Sequence, residues 1–172
     1  MKSVKATVDA RERTLERLMM EYGDSVMRIC YLFLKDRQLA QDAAQETFIK
    51  AWRAIDSLRE DGAEKAWLMM IAVNTCKNTL RGRYFRMVDR SVSTDDLPEP
   101  ATEDRQGDDS LLQEVLSLPD KYRQAVVLYY YQELTAEETA DALGVPAATV
   151  RTRLRRAREL LKTRLEGWYI DE

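Results

Sequence analysis

Thr135-Ala-Glu-Glu-Thr-Ala-Asp-Ala-Leu-Gly144-Val145-Pro146, followed by Ala147-Ala-Thr-Val-Arg-Thr-Arg-Leu-Arg-Arg-Ala-Arg158, is the stretch whose reading decides the fold. Thr135 is placed to cap a helix, and Glu138, three residues on, completes a capping box. Ala140 is small enough for a close helix crossing, Gly144 supplies the turn, and Pro146 suits the first position of the next helix. Val150, Leu154, Ala157 and Leu161 recur at helical spacing as an inward stripe. The segment therefore reads as a helix-turn-helix. The opposite face carries Ala148, Thr152 and Arg155, flanked by Arg151 and Arg156, and between Thr149 and Leu165 seven basic residues accompany one acid, Glu159. A solvated basic helix at a domain end would share that charge. Arginine, however, dominates where bidentate contacts to guanine need a planar fork, which favours a recognition helix in a DNA major groove.

Upstream of this motif, apolar positions restart at about Ser110 with Leu111, Leu112, Val115 and Leu116, and a helix after Leu118-Pro119 buries Val126, Val127 and Tyr130. Before Ser110 lies a different composition. Residues 88–109 contain Pro98, Pro100 and Gly107 and hold eight acids against two bases, a net charge of −6. This is a linker signature, and it divides the chain into domains at 1–87 and 110–172. The flanking segments carry +4 and −1, so the overall −3 hides two basic tracts separated by an acidic one.

The first domain reads as three helices. Leu15, Leu18, Met19, Tyr22, Val26, Ile29, Cys30 and Phe33 keep three-and-four spacing. After a polar break at Lys35 to Gln38, a second stripe runs Ala40, Ala44, Phe48, Ala51, Trp52 and Ile55. A loop around Asp56 to Ala63 leads into a third helix near Glu64, apolar on nearly all sides from Ala66 to Val73 and hence a core element. Trp52 and Trp67 are expected in the core. The second half of that third helix changes character, with Asn74, Asn78 and Arg81 on one face. Through Arg90 it carries Arg81, Arg83, Arg86 and Arg90 with Tyr84 and Phe85 interleaved. Aromatics beside arginines suit single-stranded nucleic acid, whose unstacked bases offer faces to stack on, although basic helix ends also occur without it. The remaining face of the second helix holds Asp42, Gln45, Glu46 and Ile49 at i, i+3, i+4 and i+7. That stripe reads either as a solvated face or as a surface on which a partner helix docks.

Composition narrows the class. In 172 residues there are 6 glycines and 4 prolines, about half of average usage, while 33% of residues are charged and 45% hydrophobic. An all-α protein of two small helical domains, joined by an acidic flexible linker and ending in the helix-turn-helix, is expected. Histidine is absent, which removes imidazole bases, His-based triads and HExxH zinc sites. Cys30 and Cys76 have no CxxC spacing and sit among apolar neighbours as small hydrophobes. The longest uncharged run, Ala66 to Cys76, is well short of the roughly 18 residues of a membrane span. The first residues, with Lys2, Lys5, Arg11 and Arg13, lack the apolar core of a signal peptide. A cytoplasmic location is expected.

Four segments taken together resemble the extracytoplasmic-function group of bacterial sigma-70 factors. They are Gln41-Asp-Ala-Ala-Gln-Glu-Thr-Phe-Ile-Lys-Ala-Trp52, Ala66-Trp-Leu-Met-Met-Ile-Ala-Val-Asn-Thr-Cys-Lys-Asn78, Leu118-Pro-Asp-Lys-Tyr-Arg123 and Gly144 to Arg158. They occur in the family's order across nearly the whole chain. The resemblance implies that residues 1–87 dock on core RNA polymerase and read and melt the −10 promoter element. It implies that Asp42, Gln45, Glu46 and Ile49 meet the clamp coiled coil of the largest subunit. Asn74, Lys77, Asn78 and Arg81 then meet the non-template strand, and the Asp56 to Glu64 loop takes a flipped base, which can be read on its pairing edge. Thr149, Arg151, Thr152, Arg155 and Arg156 fall on the −35 reader, in a domain that also meets the polymerase flap. An anti-sigma factor, commonly membrane-linked in this group, is a further implied partner. No cofactor, metal, catalytic residue or small-molecule substrate is implied.

The linker fits such a role. Fully extended, residues 88–109 reach about 70 Å at roughly 3.3 Å each, about two DNA turns of roughly 34 Å. A free-standing helix-turn-helix regulator is the competing expectation. It would need a ligand or phosphoacceptor domain, and residues 1–87 show no parallel-sheet alternation. A metal-dependent hydrolase would need convergent carboxylates, whereas the paired acids Asp95-Asp96 and Asp108-Asp109 fall in the linker, which cannot hold metal geometry rigidly.

Overall fold

The computed structural model describes residues 2–58, 62–89 and 110–168. Contacts divide the chain into two units, Met1–Ser91 and Val92–Glu172. The first holds α1 (Lys2–Leu34), α2 (Arg37–Ala54), a 3₁₀ turn (Ile55–Ser57) and α3 (Glu64–Asp89). The second holds α4 (Ser110–Ser117), α5 (Asp120–Val126), a π-helical turn (Val127–Tyr131), α6 (Ala136–Leu143) and α7 (Ala147–Trp168). The described residues contain no strand, so the fold is all-α. Residues 59–61 of the expected base-capturing loop and residues 90–109 of the linker lie outside the described residues. So do the side chains of Phe85 and Arg86.

The first unit is a three-helix bundle. Helix α1 begins at Lys2 rather than near Leu15, because Lys2 to Thr14 contains no glycine or proline and is continuous helix-forming sequence. It ends at Lys35, which takes a positive φ of 55° and donates its N–H to Tyr31 O at 2.8 Å. Asp36 then caps α2 by accepting from Leu39 N–H at 2.9 Å. The buried stripe of α2 is Ala40, Ala43, Thr47 and Ala51, not the expected run through Ala44, Phe48 and Trp52. Small side chains let α2 approach α1 and α3 closely, and this turns the bulky Phe48 and Trp52 to the flank, where both are half-buried. Trp67 is likewise half-buried. Thr47 and Thr75 satisfy their buried hydroxyls by donating to Ala43 O at 2.7 Å and Ile71 O at 2.8 Å. Leu18, Val26, Ile29, Phe33, Leu68, Met69 and Val73 fill the remaining core, each contributing about 1.5–3 kcal/mol by burial.

Polar staples fix the helix order. Arg17 of α1 donates two hydrogen bonds to Glu64, at 2.6 and 2.8 Å, which ties α1 to the start of α3. Arg11 lies 4.9 Å over the Trp52 ring and donates to Trp52 O at 3.2 Å, fixing the end of α2. In the second unit, Arg123 is 2% exposed and donates to Leu118 O at 2.9 Å and Asp120 Oδ1 at 2.7 Å. The guanidinium thus closes the α4–α5 corner that Pro119 opens. Arg164 of α7 pairs with Glu114 of α4 at 3.4 Å and hydrogen-bonds Ser117.

The motif at Thr135 forms as its residues require. Thr135 accepts from Glu138 N–H at 3.1 Å, and Glu138 accepts in return from Thr135 N–H at 2.8 Å. Gly144 adopts the left-handed conformation at φ 68°, and Val145 N–H reaches Ala140 O at 3.1 Å to complete the helix stop. Pro146 sits one position earlier than expected, before α7, where its carbonyl accepts from Thr149 N–H at 2.9 Å. Val150, Leu154 and Ala157 are buried, whereas Leu161 is only half-buried.

Two measurements check this core. The Arg17 guanidinium holds the Glu64 carboxyl below its ordinary value, chiefly by direct hydrogen bonding. A depressed folded-state value stabilises above the unfolded pKa of about 4.3 and loses that contribution as pH falls through the folded value. Glu64→Gln should therefore lower stability at neutral pH by at most about 1 kcal/mol, since the pair is partly exposed. The gap to the parent chain should close below about pH 4. A gap that persists in acid would assign the effect to packing. Cys30 and Cys76 are buried free thiols facing each other between α1 and α3, and hydrogen bonding to Cys30, with burial, pushes the Cys76 thiol well up. Both sulfurs are buried away from solvent, so both thiols should resist alkylation in the native chain and react on unfolding. Fast native labelling would contradict the packing.

Candidate nucleic-acid interface and docking face

The solvent face of α7 collects the residues expected to read duplex DNA. Ala148, Arg151, Thr152, Arg155 and Arg156 are exposed, on the side opposite Val150, Leu154 and Ala157, while Thr149 is half-buried. Thr152 donates its hydroxyl to Ala148 O at 3.0 Å. The arginines are held by carboxylates. Arg151 pairs with Glu137 of α6 at 2.7 Å, across the two helices of the motif. Arg155 and Arg156 both pair with Glu159, at 3.3 and 2.9 Å. Arg158 is turned away and donates to Tyr130 Oη at 2.9 Å, outside the reading face. Tyr130, expected to be buried with Val126 and Val127, is instead 48% exposed and meets Arg158 through its hydroxyl; Glu137 was not singled out by the sequence pattern, because its pairing depends on contact between separate elements.

Helix α3 brings Asn74, Asn78 and Arg81 onto one exposed face, with Lys77 half-buried beside them. Tyr84 follows Arg81 at i+3 and is 66% exposed, a large ring left open to solvent. Asn74, Asn78 and Arg81 supply amide and guanidinium groups that can bond base edges and phosphates, and Tyr84 supplies a stacking surface. Arg83 is half-buried and leaves that face.

On α2, Asp42, Gln45 and Ile49 are exposed, and Glu46 is half-buried. Asp42 accepts from Gln38 at 3.3 Å, and Glu46 lies 3.8 Å from Lys50. Alongside this stripe runs an open apolar groove of about 460 Å³, where Leu15 and Met19 of α1 face Phe48, Ile49 and Trp52 of α2. Glu12 and Gln45 are its polar lining. The groove was missed because Leu15, Met19, Phe48 and Trp52 were all assigned to the core. The signal for it was present: one helix side carried more bulky apolar residues than a close alanine-faced packing could bury. The described residues hold no cluster of three or more potential metal ligands, and no helix among them is long and apolar enough to cross a membrane.

Comparisons with known proteins show what the chain resembles. A family model described as sigma-70 region 2 matches residues 18–96, and one described as sigma-70, region 4 matches residues 108–161. The RNA polymerase sigma-H factor of Pseudomonas aeruginosa is 34% identical, over 90% of this chain and 88% of its own. The ECF RNA polymerase sigma factor SigW of Bacillus subtilis is 34% identical, over 84% of each chain. Among solved structures, the sigma factor RpoE in complex with the anti-sigma factor NepR from Bartonella quintana shares the fold. Its TM-score is 0.75 at 22% identity, covering 90% of this chain and 98% of that one.

Proposed function

The chain belongs to the sigma-70 family, in its extracytoplasmic-function group, and directs RNA polymerase to initiate transcription; from that premise we propose how its surfaces divide the work. Residues 1–87 dock on polymerase and read the −10 element, residues 88–109 link, and residues 110–172 read the −35 element and rest on the flap. The observation that carries this division is the segregation of exposed chemistry. An acidic and apolar face lies on α2, amides with an open tyrosine on α3, and arginines on α7.

Docking runs through Asp42, Gln45, Glu46 and Ile49 onto the clamp coiled coil, and the apolar groove continues that surface. Asn74, Lys77, Asn78 and Arg81 take the separated non-template strand, where Tyr84 can stack on an unpaired base. Thr149, Arg151, Thr152, Arg155 and Arg156 take the duplex. Catalysis and cofactors have no part in this reading, and a cytoplasmic location follows from the partners. The solved relative bound to NepR supports an anti-sigma factor as a further partner. The acidic linker competes intramolecularly with DNA phosphate for the basic tracts, so promoter binding without polymerase is weak.

Two experiments test the division. Asp42→Lys with Glu46→Lys reverses the charge of the docking stripe and should lower affinity for core polymerase at unchanged helicity; native affinity in the double variant would remove the docking assignment. Arg151→Ala and Arg155→Ala should each weaken promoter binding. A base-reading arginine loses about 1–3 kcal/mol of discrimination, whereas a phosphate contact weakens all sequences alike. Matched and mismatched −35 duplexes separate the two roles, and unchanged promoter output in both variants would reject α7 as the reader.

A further inference from the structure

Glu159 is the single acid in the basic tract from Thr149 to Leu165. Its position is not neutral. One carboxylate oxygen accepts from Arg155 at 3.3 Å and the other from Arg156 at 2.9 Å, so a single side chain occupies two of the exposed arginines. All three side chains are close to half exposed, at 56% and 55% for the arginines and 48% for the glutamate. They are on the solvent face of α7, opposite its buried stripe, and among the described residues none of them is paired with another element. The other paired arginines of α7 differ. Arg151 bridges to Glu137 of α6, Arg158 to Tyr130, and Arg164 to Glu114 and Ser117 of α4. The Glu159 pairs therefore add no tertiary cross-link. A carboxylate that spans two cationic groups on a binding face does what a DNA phosphate would do there.

We propose that Glu159 sets the affinity of promoter recognition by rivalling DNA phosphate for Arg155 and Arg156; the proposal rests on reading α7 as the duplex-binding helix. To bind, each arginine exchanges a carboxylate for DNA, and the released carboxylate is left near a polyanion. Both effects oppose association, and neither depends on base sequence where the arginines meet phosphate. Glu159 therefore lowers binding to matched and unrelated duplexes alike and leaves their ratio unchanged. Since the pairs are exposed, the opposition is modest and is screened by salt. In a chain that must leave one promoter to find another, this restrains the arginine face from holding DNA wherever it touches it.

The test uses holoenzyme assembled from core polymerase and the full chain, with a promoter fragment that it transcribes and a fragment of shuffled sequence. Glu159→Gln should tighten binding to both by about threefold to tenfold at low ionic strength. The gain should shrink as salt rises, with discrimination between the fragments unchanged. In a background of Arg155→Ala and Arg156→Ala, Glu159→Gln should keep only the smaller part of the gain, that of removing one negative charge near DNA. Equal or weaker binding by Glu159→Gln, or a gain of undiminished size without the two arginines, would overturn the proposal. Loss of promoter binding in the double alanine background, whatever Glu159→Gln does, supports α7 as the duplex reader. Wild-type binding in that background would instead reject the reading on which the proposal rests.

Discussion

Close helix approach across alanine is the constraint on which this molecule depends. In the first unit, Ala40, Ala43 and Ala51 of α2 are buried against neighbouring helices. In the second, Ala140 of α6, near the Gly144 turn, and Ala157 of α7 are likewise buried. Helices that meet through small side chains come close enough for backbone-to-backbone packing, and a larger residue at such a position forces strain or displacement. The consequence reaches the surface. When the narrow face of α2 is turned inward, its large and charged side chains have nowhere to go but outward, and this presents Ile49, Phe48 and Trp52 beside Asp42 and Glu46.

The same logic separates what is held from what is offered. Arg17, Arg123 and Arg164 are committed to carboxylates or carbonyls that join helices within a unit. Arg151 is intermediate, paired across the two helices of the turn motif yet exposed. Among the described residues, Arg155 and Arg156 pair within their own helix, with the similarly exposed Glu159. Arginine thus serves as a staple between helices and as an exposed surface group in one chain, and the difference lies in which element supplies the carboxylate.

Much of this was legible in the residues. Thr135, Glu138 and Gly144 act locally, through hydrogen bonds and a backbone conformation that span a few positions, so the turn motif could be read without knowing what packs on it. The division of exposed faces on α3 and α7 also followed from helical periodicity. The facing of α2 did not. Its apolar positions allow two stripes one residue apart, and the choice between them depends on how closely α1 and α3 approach, a tertiary quantity. Sequence reasoning favoured the stripe with the larger side chains, and packing chose the smaller. The pairing of Arg151 with Glu137 and of Arg17 with Glu64 was hidden for a related reason: the partners are distant in the chain and meet only after the helices have packed.

The central claim is that two separate helical faces of one chain meet two different forms of promoter DNA. Site-specific photocrosslinking in the polymerase–promoter complex measures this most directly, with a photoreactive residue at Asn78 of α3 or at Thr152 of α7. Asn78 should capture the non-template strand of the −10 region only once the strands have separated, and Thr152 should capture the −35 duplex before and after opening. Capture of the same element from both positions, or capture of −10 duplex by Asn78 before opening, would contradict the account.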